Sequence, residues 1–439
     1  MRFLHPSVLL SIILLIATGL LMGCDSAPSA DEPPPNRDSF LETLALEASD
    51  LDGVDMDALM APFDMPVIIE AVRRSEREDA GSSSGKNSVV RPGEYIQEAI
   101  DAAPAGGTVF IRPGTYVIEE SIIISQSLHL VGLGRPGSVV IEEAQNLDER
   151  LRNGIEARGV SGLSLINLTV RGFEGNGVFF VGVDGFLLFR LVTDQLRDGA
   201  YGLFPVRSQN GIVAHCTATG ADDAGIYVGQ SENVAVVHNE TYGNVIGLEA
   251  ENVKANVWAH NRSYDNAAGM LAILLPPSRY IEVLHAEALT VAHNRLTDNN
   301  GDNFAPEGEL ASFVPSGTGL LVIGYDESTI RRNRVTGNAF VGIGLGSTLT
   351  MLNIAGRLPE DPADLAIEPF PDEVQVINNQ VTGNGFGDPL VVSEEIAIPP
   401  VDLLWDRPLY ESYGTGNCWA DNTFDSSFPE ALPDCDAST

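Results

Sequence analysis

Short runs of alternating apolar residues recur along most of this chain, and each opens on a glycine. Gly154 begins "NGIEA", Gly177 "NGVFF", Gly202 "YGLFP", Gly225 "AGIYV", Gly247 "IGLEA" and Gly269 "AGMLA". The steps between them are 23, 25, 23, 22 and 22 residues, and the series resumes at Gly319 ("TGLLV") and Gly342 ("VGIGL"), again 23 apart. Fourteen residues after these glycines runs a second column: Leu168, Leu191, Cys216, Asn239, Asn261 and Asn333, joined by Asn294 and Asn379 once insertions are allowed. No unit alternates long enough for a hairpin. Strands this short at a fixed period predict a solenoid, in which each unit is one coil and stacked coils share a Val/Ile/Leu core. The Leu-x-x-Leu-x-Leu frame of leucine-rich repeats is absent. The pattern therefore predicts an all-β chain: a single right-handed parallel β-helix of roughly ten coils, about 48 Å long.

The asparagine column fits this. Asn at one bend of successive coils hydrogen-bonds its own copies and tolerates unusual backbone angles. Cys216 shares the slot and reads as a small buried thiol. "EYIQEAIDAA", residues 94–103, is an amphipathic helix just before the first strand, placed to cap the open end of the core.

The ends read differently. Residues 1–24 carry Arg2, an apolar stretch and Leu21-Met22-Gly23-Cys24, which looks like a bacterial lipobox. That implies a cleaved signal peptide, a lipid on Cys24 as membrane anchor, and a location in the cell envelope on the periplasmic or outer-membrane face. Residues 25–88 read as an acidic linker with one or two short helices interrupted near Pro62 and Pro66, 89–410 as the β-helix, and 411–439 as a C-terminal cap. In an oxidising envelope Cys418 and Cys435 are expected to pair, closing a loop worth about 3 kcal/mol on the chain-entropy model. The formal charge of −36 excludes nucleic acid as a partner, since phosphates would be repelled.

"RPGEYIQEAIDAAPAGGTVFIRPGTYVI" followed by "LHLVGLG" resembles the opening of the pectin-lyase-like and NosD-type β-helix proteins. The run "DGAYGLFPVRSQNGIVAHCTATGADDAGIYVGQSENVAVVHNETYGN", with "NFAPEGE" and "VPSGTGLLV", is similar to a narrower group of bacterial envelope lipoproteins, the parallel β-helix repeat proteins. The resemblance covers about residues 89–425. It implies an extracytoplasmic β-helix with a carbohydrate-related role, and no particular activity.

Candidate chemistry gathers at one corner. Counting back three from each column glycine sets Asp222 level with Asn244, Asn266 and Glu174, with Asp198 one step off its slot. Glu174, Asp198 and Asp222 would form an acidic file with Asp223 beside it. At a half-buried corner such a file either raises one carboxyl pKa, as a catalytic acid needs, or recruits Ca²⁺ as a cofactor; at a solvated corner it is an ordinary polar turn. "ADDAGIYVG" resembles the Asp-Asp strand of polygalacturonase-like glycosidases, but the Gly-His-Gly and Arg-Ile-Lys those enzymes also carry have no counterpart here. "YGLFPV" resembles the Tyr-Gly-Phe-Asp-Pro-His signature of alginate epimerases, with Phe204 and Val206 in place of the catalytic Asp and His. Pectate lyases pair an acidic Ca²⁺ site with an arginine base, and Arg190, Arg197 and Arg207 lie within a coil of the acidic file.

The residue before the asparagine column is His215, His238, His260 and His293 in four successive coils, elsewhere Asn167, Arg190, Arg332 and Asn378. Stacked imidazoles can bind a transition metal, or simply serve as polar bend residues. Three insertions break the period, and the one reading "NNGDNFAPEGELASFVPSG" leaves from the Asp222 corner. Its Phe304 and Phe313, with Arg197 and Tyr227, are candidate binding residues along a groove. Three functional readings follow. The first is a tethered module that binds a glycan (carbohydrate binding) or an envelope protein partner. The second is a polysaccharide lyase or hydrolase using Asp222, Asp223, Asp198 and Glu174. The third is metal handling by the histidine file.

Overall fold

The computed structural model describes residues 36–77, 85–283, 285–392, 397–410 and 413–435. The lipobox and Cys24 lie outside these residues. The strands wind into a parallel β-helix. A first ladder of 12 strands runs from Asn87–Val90 through Glu232–Val237 to Cys418–Ala420. Short strands such as Glu240–Tyr242, Arg262–Tyr264 and Arg295–Thr297 make a second ladder, and longer ones such as Ile246–Glu251, Ala268–Ile273 and Thr318–Ile323 a third. Val192–Val206 and Thr217–Gly229 run through the bend and serve both the second and third ladders.

The glycine column has a steric cause. Side chains alternate in and out of each strand, and at the column position the neighbouring coil's backbone comes too close for any. A Cβ on Gly202 would lie 2.4 Å from the Gly225 carbonyl oxygen, and one on Gly319 2.5 Å from that of Gly342. Inward residues on the same strands, such as Ile226, Val228, Leu248 and Ala250, are buried in one continuous core.

Two asparagine files, not one, bound the second ladder. Asn239 donates its amide to Asn261, Asn261 to Asn294, Asn294 to Asn333, Asn333 to Asn379 and Asn379 to Asn422, each at 3.0 Å. Five residues on, Asn244, Asn266, Asn299, Asn338 and Asn384 repeat the arrangement and end on Asp402, at 2.9–3.2 Å. The residue before each file is left-handed: His238, His260, His293, Arg332 and Asn378 for the first, Gly243, Asp265, Asp298, Gly337 and Gly383 for the second. A left-handed residue turns the chain, and the next amide satisfies backbone groups that the turn would strand. Cys216 keeps its place in the first file, where its N–H donates to Asn239 Oδ1 at 2.8 Å; burial pushes its thiol up to about 12.

Helix α1 (Arg37–Thr43), α2 (Met56–Met60) and α3 (Met65–Ser75) precede the solenoid, with Pro66 in the first turn of α3. The acidic-linker reading of this segment is corrected: Phe40, Leu44, Leu51, Leu59, Ile68 and Val72 are buried against Phe110, Val131, Ile166, Phe189, Ile212 and Val237 on the outer face of the first ladder. Each such side chain contributes about 1.5–3 kcal/mol before entropy. Helix α4 (Ile96–Ala102) caps the core with Ile96 and Ile100. At the other end the cap is not separate from the solenoid, because Cys418–Ala420 and Ser427–Phe428 extend the first and third ladders. Cys418 and Cys435 are joined by a disulfide. Helix α5 (Thr348–Ile354) sits in the third insertion. Among the described residues no helix is long and apolar enough to cross a membrane.

Asn294→Ala strips two acceptor and two donor bonds from the buried file at once. With unmet buried groups costing about 1–3 kcal/mol each, thermal denaturation should show a drop in midpoint well beyond that of Asn422→Ala at the partly buried end of the file.

Candidate functional site

The outward columns of the third ladder change character along the axis. Register pairs Phe179 with Phe204, Tyr227 with Glu249, and Glu249 with Leu271. A second outward column runs Val206, Gly229, Glu251, Ile273. Aromatic rings thus give way to two carboxyls, and these to an apolar stretch. The rings touch: Phe204 stacks on Phe179 at 5.4 Å and on Tyr201 at 4.3 Å, and lies 4.4 Å from Tyr227. Gly229 is required here, since a Cβ on it would lie 1.9 Å from the Tyr227 hydroxyl as that side chain crosses toward Glu251.

Asp222 and Asp223 stand beside this cluster, but not in the file expected for them. The slot level with Asn244 belongs to Ala221, whose N–H donates to Asn244 Oδ1 at 3.0 Å. Between Ala221 and Ala224 lies one residue more than between Asn244 and Ile246, so the two aspartates share a bulge. Asp223 accepts the Tyr201 hydroxyl at 2.5 Å. Burial, opposed by that hydrogen bond and helped by Asp222 and Glu309, lifts Asp223 to about 7. Asp222 is raised by burial, then by Asp198 and Glu309.

Neither Asp198 nor Glu174 completes the acidic file. The ladder shifts register between Asp194 and Gly199 and again before Tyr201. Asp198 is exposed and paired with Arg150 at 2.6 Å, beside an open cleft of about 510 Å³ lined by Glu142, Glu143, Arg171 and Leu196. Glu174 is exposed, and its N–H donates to the Leu151 carbonyl at 3.1 Å.

Glu249 and Glu251 take the place those two were expected to fill. Glu249 is 6 % exposed, and its Oε2 is buried without a hydrogen-bond partner. Burial, then Asp223 and Glu251, hold it well above the usual carboxylate range. Burial lifts Glu251 to about 7, with Tyr227 as its donor opposing. Both residues were readable from the alternation of "IGLEAE": Leu248 and Ala250 face the core, so Glu249 and Glu251 face out, one coil on from Tyr227.

Similar folds are known. Residues 153–308 match the family model for the right handed beta helix region. The A-module of the mannuronan C-5 epimerase AlgE4 of Azotobacter vinelandii superposes with a TM-score of 0.53 at 16% identity, over 76% of this chain and 90% of that one. The chain is a right-handed parallel β-helix. The AlgE6 A-module of the same organism (TM-score 0.49, 16% identity, 76% and 90% covered) and pectate lyase Pel9A (0.43, 12%, 82% and 83%) are also similar. The curated proteins contain no match.

The insertion after Asn299 does not stand free as a lip on the β-helix. Phe304 and Phe313 are partly buried in the apolar cluster over the third ladder. The insertion folds back along the axis, so that Arg197 lies over the Phe304 ring at 3.9 Å and Glu309 bears on both Asp222 and Asp223. Of the candidate binding residues, Tyr227 joins the carboxyl cluster, Arg197 and Phe304 meet each other at its edge, and Phe313 packs under the insertion.

The histidines are stacked as their register requires. Centroids of His215, His238, His260 and His293 follow at 5.2, 4.9 and 4.7 Å, with planes within 12°. Asp50, brought by the N-terminal segment, meets His238 Nε2 at 2.9 Å and His260 Nε2 at 3.3 Å. The sequence showed the file but not the carboxylate.

Raised carboxyl pKa values carry a definite sign. Asp223 and Glu251 bind a proton more tightly folded than unfolded, so their cost to stability is absent below about pH 4 and complete above about 7. The thermal midpoint should fall across that window, and Glu251→Gln, which still accepts from Tyr227, should flatten the fall. An unchanged slope in the variant would contradict the assignment.

Proposed function

We propose that the protein binds a glycan chain laid along the third ladder, with Phe179, Phe204 and Tyr201 as the platform. The observation that carries this is the strip of stacked, partly exposed rings running directly into carboxyl groups. Aromatic faces give a sugar ring apolar contact, and carboxyl oxygens accept its hydroxyls; pockets that fix small polar ligands are built this way. Phe204 stands where the epimerase-like signature carries a carboxylate, which makes the spot a contact surface rather than a reacting one. The fold shared with the AlgE4 A-module, titled a mannuronan C-5 epimerase, supports a polysaccharide ligand in general.

Charge narrows the choice. Asp222, Asp223, Glu249, Glu251 and Glu309 lie together on a chain of net charge −36. The net negative charge repels a uronate polymer, and the carboxyl groups, protonated or not, can hydrogen-bond the hydroxyls of a neutral one. In this reading Cys24 carries a lipid and holds the module at the envelope, where such polymers are met.

A second reading rests on Asp223. A partly exposed carboxyl held at about 7 and hydrogen-bonded to a tyrosine suits general acid–base work on a glycosidic bond. One set of assays separates the two. Affinity electrophoresis against neutral and uronic polysaccharides, with and without Ca²⁺, should retard the protein in neutral gels, and Phe204→Ala should weaken retention about tenfold, as loss of an aromatic anchor does. Product released by the wild type and lost in Asp223→Asn, with retention kept, would replace the binder by the enzyme. No retention in any gel would remove both.

A further inference from the structure

The histidine file has no part in the glycan face, which lies on another ladder. It faces the N-terminal segment. Helices α1 to α3 cover the first ladder, and the 3-10 turn Ala48–Leu51 between them lowers one carboxylate, Asp50, onto the two middle imidazoles. That carboxylate is only 5 % exposed and is held from behind by the Glu47 N–H, which donates to Oδ2 at 2.8 Å. His238 Nε2 lies 2.9 Å from Oδ2, and His260 Nε2 3.3 Å from Oδ1. The three donor atoms all fall within 4.8 Å of one another.

We propose that Asp50, His238 and His260 form a transition-metal site that ties the N-terminal helical segment to the β-helix.

Two imidazole nitrogens and one carboxylate oxygen are the donor set of Zn²⁺ and its neighbours Co²⁺, Ni²⁺ and Cu²⁺, not of Ca²⁺ or Mg²⁺, which take oxygen. Ligands about 2.1 Å from a tetrahedral ion sit about 3.4 Å apart, so closing from within 4.8 Å needs only small side-chain turns. Rings in successive coils keep a spacing near 5 Å whatever they bind, and the ion would sit between two such rungs, facing the carboxylate. The side chains of His238 and His260 are 30% and 33% exposed, which leaves an approach for the ion and room for water in its open positions. On binding, the metal replaces the His238–Asp50 hydrogen bond and the His260–Asp50 contact, and each ring then carries its proton on Nδ1 so that Nε2 is free to coordinate. Because Asp50 and the histidines belong to parts of the chain 188 residues apart or more, one ion cross-links the strap to coils in the middle of the solenoid.

The test is zinc titration, followed by calorimetry, into the full chain stripped with chelator. One equivalent should bind. Asp50→Asn should weaken it at least tenfold, and the double variant His238→Asn/His260→Asn should abolish it. Asparagine is chosen because Asn167 and Asn378 hold the same left-handed position in this column, at φ 55° and 57°, so the backbone is not disturbed. His285→Ala, an exposed histidine outside the file, should bind as the wild type does. Zinc should also raise the thermal midpoint of the wild type but not of the double variant. A measurement on the unaltered chain guards against misfolded variants: the electron paramagnetic resonance spectrum of its Cu²⁺ form should show coupling to two imidazole nitrogens. No uptake by the wild type, equal uptake by the double variant, or a copper spectrum without two nitrogens overturns the site and leaves Asp50 as a hydrogen-bonding latch only.

Discussion

Everything in this molecule is subject to the axial register of its coils. Parallel pairing fixes each residue against one neighbour above and one below, about 4.8 Å away. A side chain at any position must therefore tolerate its own counterparts as contacts. Asparagine does this best at a bend, because its amide is both donor and acceptor and can pass hydrogen bonds along the stack without a remainder. The two files on either side of the second ladder hold that ladder to three residues and fix where the chain turns. Glycine is forced at a third position because the next coil's carbonyl occupies the space.

The same constraint decides what was legible in the sequence. Features that recur from coil to coil could be read directly: the glycine column, the first asparagine file and the inward alternation; the capping helix was legible from its own amphipathic run. The second file was visible too, in the six-residue frame of "NETYGN", "NRSYDN" and "NRVTGN", but only as a polar turn. Asp222 was misplaced because counting from a glycine assumes no bulge, and one extra residue sits between Ala221 and Ala224. Counting is blind to an insertion shorter than the features it counts. For residues 37–75 the sequence showed short helices but not where they dock. Their apolar pattern marks a helix face, but its partner is the outward side of a sheet more than a hundred residues away in the chain.

Outward columns carry no repeat requirement of the asparagine kind, and this is where the candidate glycan face arises. Inward positions must be apolar in every coil, whereas outward ones are free to change, so rings, carboxyls and aliphatics follow one another along a single line. The insertions then select what remains open. They cover the aliphatic end near Leu271 and Leu321 and stop at the carboxyls, with Phe304 and Arg197 marking the edge. Burying Glu249 beside Asp223 and Glu251 costs folding energy that apolar residues there would not, so the cluster is a local departure from the most stable choice.

The histidine column makes the complementary point. Its backbone is left-handed at every member from Asn167 to Asn378, and that geometry accepts asparagine, arginine or histidine alike. Identity at this position is therefore not set by the solenoid, and four histidines in a row say nothing by themselves. What gives two of them meaning is contact from outside the repeat. Asp50 reaches His238 and His260 because the strap is fixed just after it: the Asp55 N–H donates to Asn233 at 2.7 Å, and Arg331 pairs with Asp52 at 2.6 Å. A carboxylate so anchored cannot follow the rings if they move, and the rings cannot leave their rungs. The three donors are preorganised by two independent pieces of the fold. That separates a built site from a chance meeting of polar side chains on a surface.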